Sequence, residues 1–357
     1  MAKLQAFACN AFTGQQLDTI PMSAYTYERL LSAGDASSSV TIALDGTFSP
    51  ATLRSLIEPW SRMIAIERDG VLEYMGYSMG HTRYERGKAS ITLKLADLWS
   101  LLARRGAWDH TAANVAKWKL SLSGTIPALA EAALLRGRTG PALPSMAFPL
   151  TLVGGYTGPT FTRKYYGYHM EMVTDILSDL IAEGLDVYFK PRWVGNGDAD
   201  WLLQADVDWS TGVTREFSVT AKESPIVGFT EQIDPSRVTN NARYAGEGSE
   251  EDMLVRSERN ASSPYPLLDR VTNVKQIDKV DQLSAMASQD LITYLMPTSQ
   301  WDFKVTADTP IDVGDAVRLH FDGDPLIPDG WHRRRVVKVS GDESDVKTIG
   351  VQSTGGE

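Results

Sequence analysis

A single cysteine, Cys9, is present among 357 residues, which excludes a disulfide within the chain and any multi-cysteine zinc site. Synthesis and folding in a reducing cytoplasm fit that scarcity. No run reaches the roughly eighteen apolar residues that a membrane-spanning helix needs. The first residues, MAKLQ, carry one positive charge and no apolar stretch, so no signal peptide is expected. Cations are in deficit: 35 Lys and Arg against 45 Asp and Glu give a formal net charge of -10. Such a chain is a poor candidate for tight phosphate binding, whose affinity comes from Lys and Arg releasing counterions. The five histidines, His81, His110, His169, His320 and His332, form neither H-x-x-x-H nor H-E-x-x-H, so the helical metal-ligand spacing is absent. Neither GxGxxG nor GxxxxGK[ST] occurs.

With 43% hydrophobic and 22% charged residues, the composition is that of a globular protein too long for one ordinary core, so two or three domains are expected. The acidity has two readings, plain solubility or a surface that nucleic acid passes without sticking.

The most specific stretch runs from Val40 to Arg105. A strand at 40–44 and a short helical segment ending near Trp60 precede two apolar runs, 63–68 and 71–77, separated by Asp69 and Gly70. An Asp-Gly pair between apolar runs is a strong hairpin signal. Ile91, Leu93 and Leu95 then alternate with Thr92 and Lys94, predicting a strand with one buried face, which runs directly into a helix over 97–102. Residues 137–159, rich in Gly, Pro and Thr, read as a long loop or arm. Val173, Ile176, Leu177, Leu180 and Ile181 share one helical face and Gly184 supplies the stop. Strands are expected at 185–191 and 200–205, and a second helix over 279–295 ending before Pro297. Strands return after Trp301, at 317–321, 331–340 and 346–351. Asp329 and Gly330 echo Asp69 and Gly70 at the opening of a strand, a faint internal repeat.

Each candidate for chemistry has a plainer alternative. Gly76, Ser78 and Gly80 match G-x-S-x-G, but the nucleophile elbow needs a helix directly after its strand, and residues 81–87 read as a turn. Asp322 with Asp324, and Asp206 with Asp208, suggest oxygen ligands for calcium without continuing into EF-hand spacing, so turn residues are expected. Arg333, Arg334 and Arg335 beside Trp331 would alternate faces in a strand, with solvation or salt bridges to a neighbouring subunit as their use. No residue is assigned a catalytic, cofactor-binding or metal role, and no cofactor is expected.

The order of elements resembles that of tail-hub (baseplate hub) proteins of long-tailed bacteriophages, especially hub-type minor tail proteins of phages infecting actinobacteria. The segments that carry the resemblance are WSRMIAIERDGVLEYMGY at 60–77, ITLKLADLWSLLARR at 91–105, the helix and strand within 170–193, the helix over 279–295, and GDAVRL at 314–319 with the strands after it. The resemblance implies a mainly β fold with an α+β insertion. It places a first antiparallel β-barrel at 1–106, an α+β middle domain at 107–216 and 258–300, and a second, similar barrel at 217–257 and 301–357. It implies a homotrimer at the virion tail tip, assembled in the host cytoplasm. The ring would adapt the sixfold tail tube to a threefold tip around a channel for the tape measure and the genome. Its partners would be distal tail and tube proteins, the tape measure protein and other tail-tip or fibre proteins, with DNA passing unbound. Because the sequence ends soon after Val351, lytic or receptor-binding activity is expected in another tail protein. The rival readings are a tail-associated hydrolase using Ser78 or unrecognised carboxylates, and a carbohydrate-binding tail component using some of the nine tryptophans.

Overall fold

Asp69 and Gly70 form the turn their sequence promises. In the computed structural model both lie at positive φ, 50° and 84°, as a type I′ turn requires. The structure describes residues 3–32, 38–81, 83–110, 112–139, 146–195, 197–274 and 277–353. By its contacts the chain forms two units, the first comprising 1–228 and 303–350, the second 229–302 and 351–357.

Unit 1 opens with seven strands: β1 (Leu4–Asn10), β2 (Gln16–Ile20), β3 (Met22–Leu30), β4 (Ser38–Ala43), β5 (Arg62–Arg68), β6 (Val71–His81) and β7 (Ser90–Ala96). Helix α1 (Pro50–Leu56) lies between β4 and β5, started by Ser49, whose hydroxyl accepts the Thr52 N–H, and by a proline in its first turn. Helix α2 (Leu98–Leu102) follows β7 directly, capped by Asp97 accepting the Ser100 N–H at 2.9 Å. The strand order is β2-β1-β5-β6-β7-β4-β3. In β7 the alternation holds as expected: Ile91, Leu93 and Leu95 are buried, and Thr92 and Lys94 exposed.

The insertion follows: β8 (Lys119–Gly124), α3 (Ile126–Thr139), β9 (Leu150–Thr151), β10 (Phe161–Tyr166), α4 (Val173–Ala182), β11 (Leu185–Val194) and β12 (Asp198–Val207). It packs on one face of the first strands. Phe7, Cys9, Met63, Ala65, Met75 and Tyr77 share one core with Leu129 and Leu134 of α3, Ile176, Leu177 and Leu180 of α4, and Val187 and Trp201. Ala6, Ala8, Ile64 and Ile66 point to the other face and are also fully buried, so β1 and β5 are covered on both sides. Helix α3 was not read from the sequence, and its last residues lie inside the stretch read as an arm. A Cβ at Gly137 would come within 2.6 Å of a Val173 methyl, so this glycine permits the close approach of α3 to α4.

Strands β13 (Thr214–Ser218), β14 (Ile226–Asp234), β15 (Asn241–Ala245), β16 (Val255–Arg259) and β17 (Asp269–Asn273), helix α5 (Val280–Thr293), and strands β18 (Thr298–Thr306), β19 (Ala316–Phe321), β20 (Gly330–Asp342) and β21 (Val346–Ser353) complete the chain. The fold is mainly β with an α+β insertion. Among the described residues no ring of strands closes, unlike the two barrels expected. The reason is β20, whose thirteen residues pair with β19 through 330–335 and with β3 through 338–342. It thereby joins the returning strands to the first set in one sheet. Strand β13 lies beside β19 in parallel.

In unit 2, β15 pairs antiparallel with β16 and parallel with β17. Helix α5 covers one face of that sheet, where Leu283 and Ala287 meet Ala242, Tyr244 and Val274. The Asp290 carboxylate accepts from the Tyr244 hydroxyl at 2.7 Å and pairs with Arg270 at 3.1 Å. The guanidinium groups of Arg237 and Arg270 each lie 4.4 Å from the Tyr294 ring centre.

Candidate functional site

Ser78 lies inside β6, which continues to His81, so no helix follows and the elbow geometry is absent. The residue is fully buried. Its hydroxyl donates to the Ile57 carbonyl at 2.7 Å and accepts the Gly80 N–H at 3.3 Å. That hydroxyl closes the loop between α1 and β5 rather than facing a substrate. Cys9 is equally enclosed, and burial, with Asp198 nearby, pushes its thiol up to about 12, leaving it inert as a nucleophile.

The remaining sequence candidates do not converge. Asp324 accepts the N–H groups of Leu326 and Ile327, and Asp329 accepts that of Gly323, so these carboxylates close the β19–β20 turn. Asp206 accepts the Val207 N–H, and Asp208 stands at positive φ. His332 meets the Pro328 carbonyl at 2.8 Å, and the His320 ring lies 4.9 Å from Trp331. Among the described residues no group of three or more His, Cys, Asp or Glu side chains could hold a metal ion, and no helix is long and apolar enough to cross a membrane.

The arginine triplet alternates as the strand period dictates, with Arg334 buried and Arg333 exposed. Arg335 has an ion pair within the chain, at Asp186.

Arg335 leads to the polar centre that sequence reasoning missed. Three carboxylates, Asp186, Asp312 and Asp315, tie together segments far apart in sequence. Asp186, at the start of β11, also accepts the Ser32 hydroxyl and the Trp209 N–H. Asp312 accepts from Arg29 at 3.1 Å and from Lys190 at 2.8 Å, and the Tyr188 hydroxyl lies 3.3 Å away. Burial alone would push the Asp312 carboxyl up, but Arg29 and Lys190 override it and hold the group below its ordinary range. Asp315 accepts the Thr211 hydroxyl at 2.5 Å and the Arg215 guanidinium at 3.3 Å. A second knot sits near the turn after β20. Arg68 pairs with Glu73 at 3.0 Å and donates to the Tyr25 hydroxyl and to the carbonyls of Asp342 and Ser344.

These charges are spent on one another and on backbone groups. An arrangement of this kind fixes the insertion and the returning strands against the first sheet. The sequence signal, faint as it is, was a lone Asp inside an apolar run: Leu185, Asp186, Val187, and again Ile311, Asp312, Val313. Of the nine tryptophans, Trp331 is the exposed one, while the half-buried Trp60 and the buried Trp201 each pack a tilted ring on Tyr77.

No protein-family model matches the sequence, and no curated protein matches it. Solved structures do match its fold. The 43 kDa tail protein of prophage MuSo2 from Shewanella oneidensis aligns over 98% of this chain and 98% of its own, with 9% identity and a TM-score of 0.61. A tail protein from Neisseria meningitidis aligns over 98% of this chain and 97% of its own, with 14% identity and a TM-score of 0.60. Prophage tail protein gp18 from Listeria monocytogenes aligns over 99% of this chain and 95% of its own, with 8% identity and a TM-score of 0.56. What this chain shares with these tail proteins is the fold, along nearly the whole length of each.

Proposed function

We propose that this chain is a structural, non-enzymatic subunit of a phage tail, and that three copies form the hub at the tail tip. The observation that carries the reading is the end-to-end fold likeness to phage tail proteins, in a chain whose buried charges are consumed by its own scaffold. In this reading residues 1–106 and the strands of 301–357 build the ring layer, and residues 107–216 back it. A ring of three requires a head-to-tail interface that closes. It would adapt the sixfold tube to a threefold tip and surround the path of the tape measure and the genome. The net charge of -10 would line that path with carboxylates, which repel phosphate instead of binding it. An actinobacterial host rests on the sequence resemblance alone. Labelling the protein in intact particles and locating it by electron microscopy tests the proposal. Density at the tail tip with threefold symmetry is expected, and absence from the particle would refute it.

A further inference from the structure

Strands β8 and β10 form a sheet of two, and among the described residues neither pairs with a third strand. Opposite residues run from Tyr166 beside Lys119 to Phe161 beside Gly124. Just past them, the Gly167 N–H donates to the carbonyl of Trp118, its opposite residue, at 2.8 Å. Bonded and non-bonded pairs alternate along an antiparallel ribbon, so Thr162, Lys164 and Tyr166 turn their N–H and C=O groups away from β8. Among the described residues those groups make no backbone hydrogen bond, and the Thr162 carbonyl alone has a side-chain donor, Arg163 Nη1 at 3.5 Å.

This open edge borders a cationic face. Leu120, Leu122 and Tyr165 pack inward on the core. The outward side carries Lys119, Ser121, Ser123, Thr162, Lys164 and Tyr166, without a carboxylate, in a chain of net charge -10. Arg163, on the other side, pairs with Glu183, whereas Lys119 and Lys164 have no ion pair among the described residues. Lys119 rests on the Tyr166 ring, 5.3 Å from its centre, and Tyr166 stacks on Tyr168, which is 57% exposed. Lysine on an edge repels a second copy of the same strand. The same charge favours a strand that sets carboxylates opposite it.

We propose that the β10 edge is a docking site for an extended acidic segment of another polypeptide, added as a third strand. Its backbone pairs with Thr162, Lys164 and Tyr166, and its carboxylates lie on the side of Lys164 and Lys119. A nucleic acid would meet the lysines but brings no peptide groups to match the edge. The site does not depend on the tail-hub reading.

Fluorescence anisotropy of a labelled alternating Glu-Thr peptide with the full chain tests this, beside the same peptide N-methylated throughout and a labelled oligo-dT. The plain peptide should bind, N-methylation should abolish binding, and Lys119→Glu/Lys164→Glu should weaken it about tenfold. No binding at millimolar protein, equal binding of the N-methylated peptide, or tighter binding of oligo-dT would overturn it. The N-methyl comparison needs only the wild type, so it decides even if the double variant fails to fold.

Discussion

Asp186 and Arg335 face each other as a fork, with Nη1 2.5 Å from Oδ2 and Nη2 3.3 Å from Oδ1, across 149 residues of chain. The pair fastens the start of β11 to β20, so the insertion is held on the strand that also joins the two halves of the sheet. The Arg335 and Asp186 side chains are 25% and 13% exposed, which places the pair between surface bridges, worth little, and buried ones, costly to break. Asp186→Ala should cost about 2 kcal/mol by removing the carboxylate that pairs with Arg335 and accepts the Trp209 N–H. Urea unfolding of Asp186→Ala, Arg335→Ala and the double variant measures it. The double variant should cost less than the sum of the singles.

Lys347 is predicted to lower stability at neutral pH. It is 8% exposed, and its Nζ donates to the Thr309 carbonyl at 2.5 Å. Burial, with Arg29 nearby, pulls its ammonium down from 10.5 to about 8. Between those two values the unfolded chain binds more protons than the folded one, so stability rises with pH across that window. Below about pH 8 the folded state bears the full cost of the buried charge. Lys347→Met should therefore raise the unfolding free energy at pH 7 by about 1–3 kcal/mol, and flatten the pH dependence between 8 and 10.5. Denaturation across pH 7–11, compared between wild type and variant, checks both effects.

Gly70 stands at φ 84°, where an added Cβ would meet nothing within 4 Å. The cost of Gly70→Ala is thus purely that of the backbone, about 1 kcal/mol. Asp69→Gly, at φ 50°, should free the backbone while losing the carboxylate that accepts the Lys3 N–H at 2.7 Å. Its net effect should be smaller. Thermal unfolding of the two variants distinguishes a turn-limited hairpin from one held by packing alone.

Ser78→Ala separates scaffold from nucleophile. The lost hydroxyl leaves the Ile57 carbonyl without its donor, which should cost about 1–2 kcal/mol. Activity on esters and cell-wall polymers should stay at background in both proteins. A hydrolysis rate in the wild type that vanishes in Ser78→Ala would restore the enzyme reading.

Local patterns were legible wherever one residue period dominated. The 63–77 hairpin, the strand at 91–95 running into its Asp97-capped helix, and the helix of 173–182 stopped by Gly184 all emerged as expected. Helix α3 escaped notice because small residues, Ala130, Ala133 and Gly137, interrupt its buried apolar face of Ile126, Leu129 and Leu134, and because Gly137 imitates a stop. The five-residue strands β15, β16 and β17 carry Arg, Asn, Asp and Ser and have no clear alternation to read. The barrels expected from the element order became one sheet because the pairing of β20 with β3 joins opposite ends of the chain. The carboxylate centre was invisible for the same reason: Asp312 is defined by Arg29 and Lys190, whose nearness only the fold creates.

The most direct test of the hub reading is the mass of the native protein in solution, measured by light scattering or mass photometry at micromolar concentration. Three times the chain mass of 39.2 kDa is predicted, with no gain in mass when duplex DNA is added. A particle of one chain mass at every concentration, or one that takes up DNA, would contradict it.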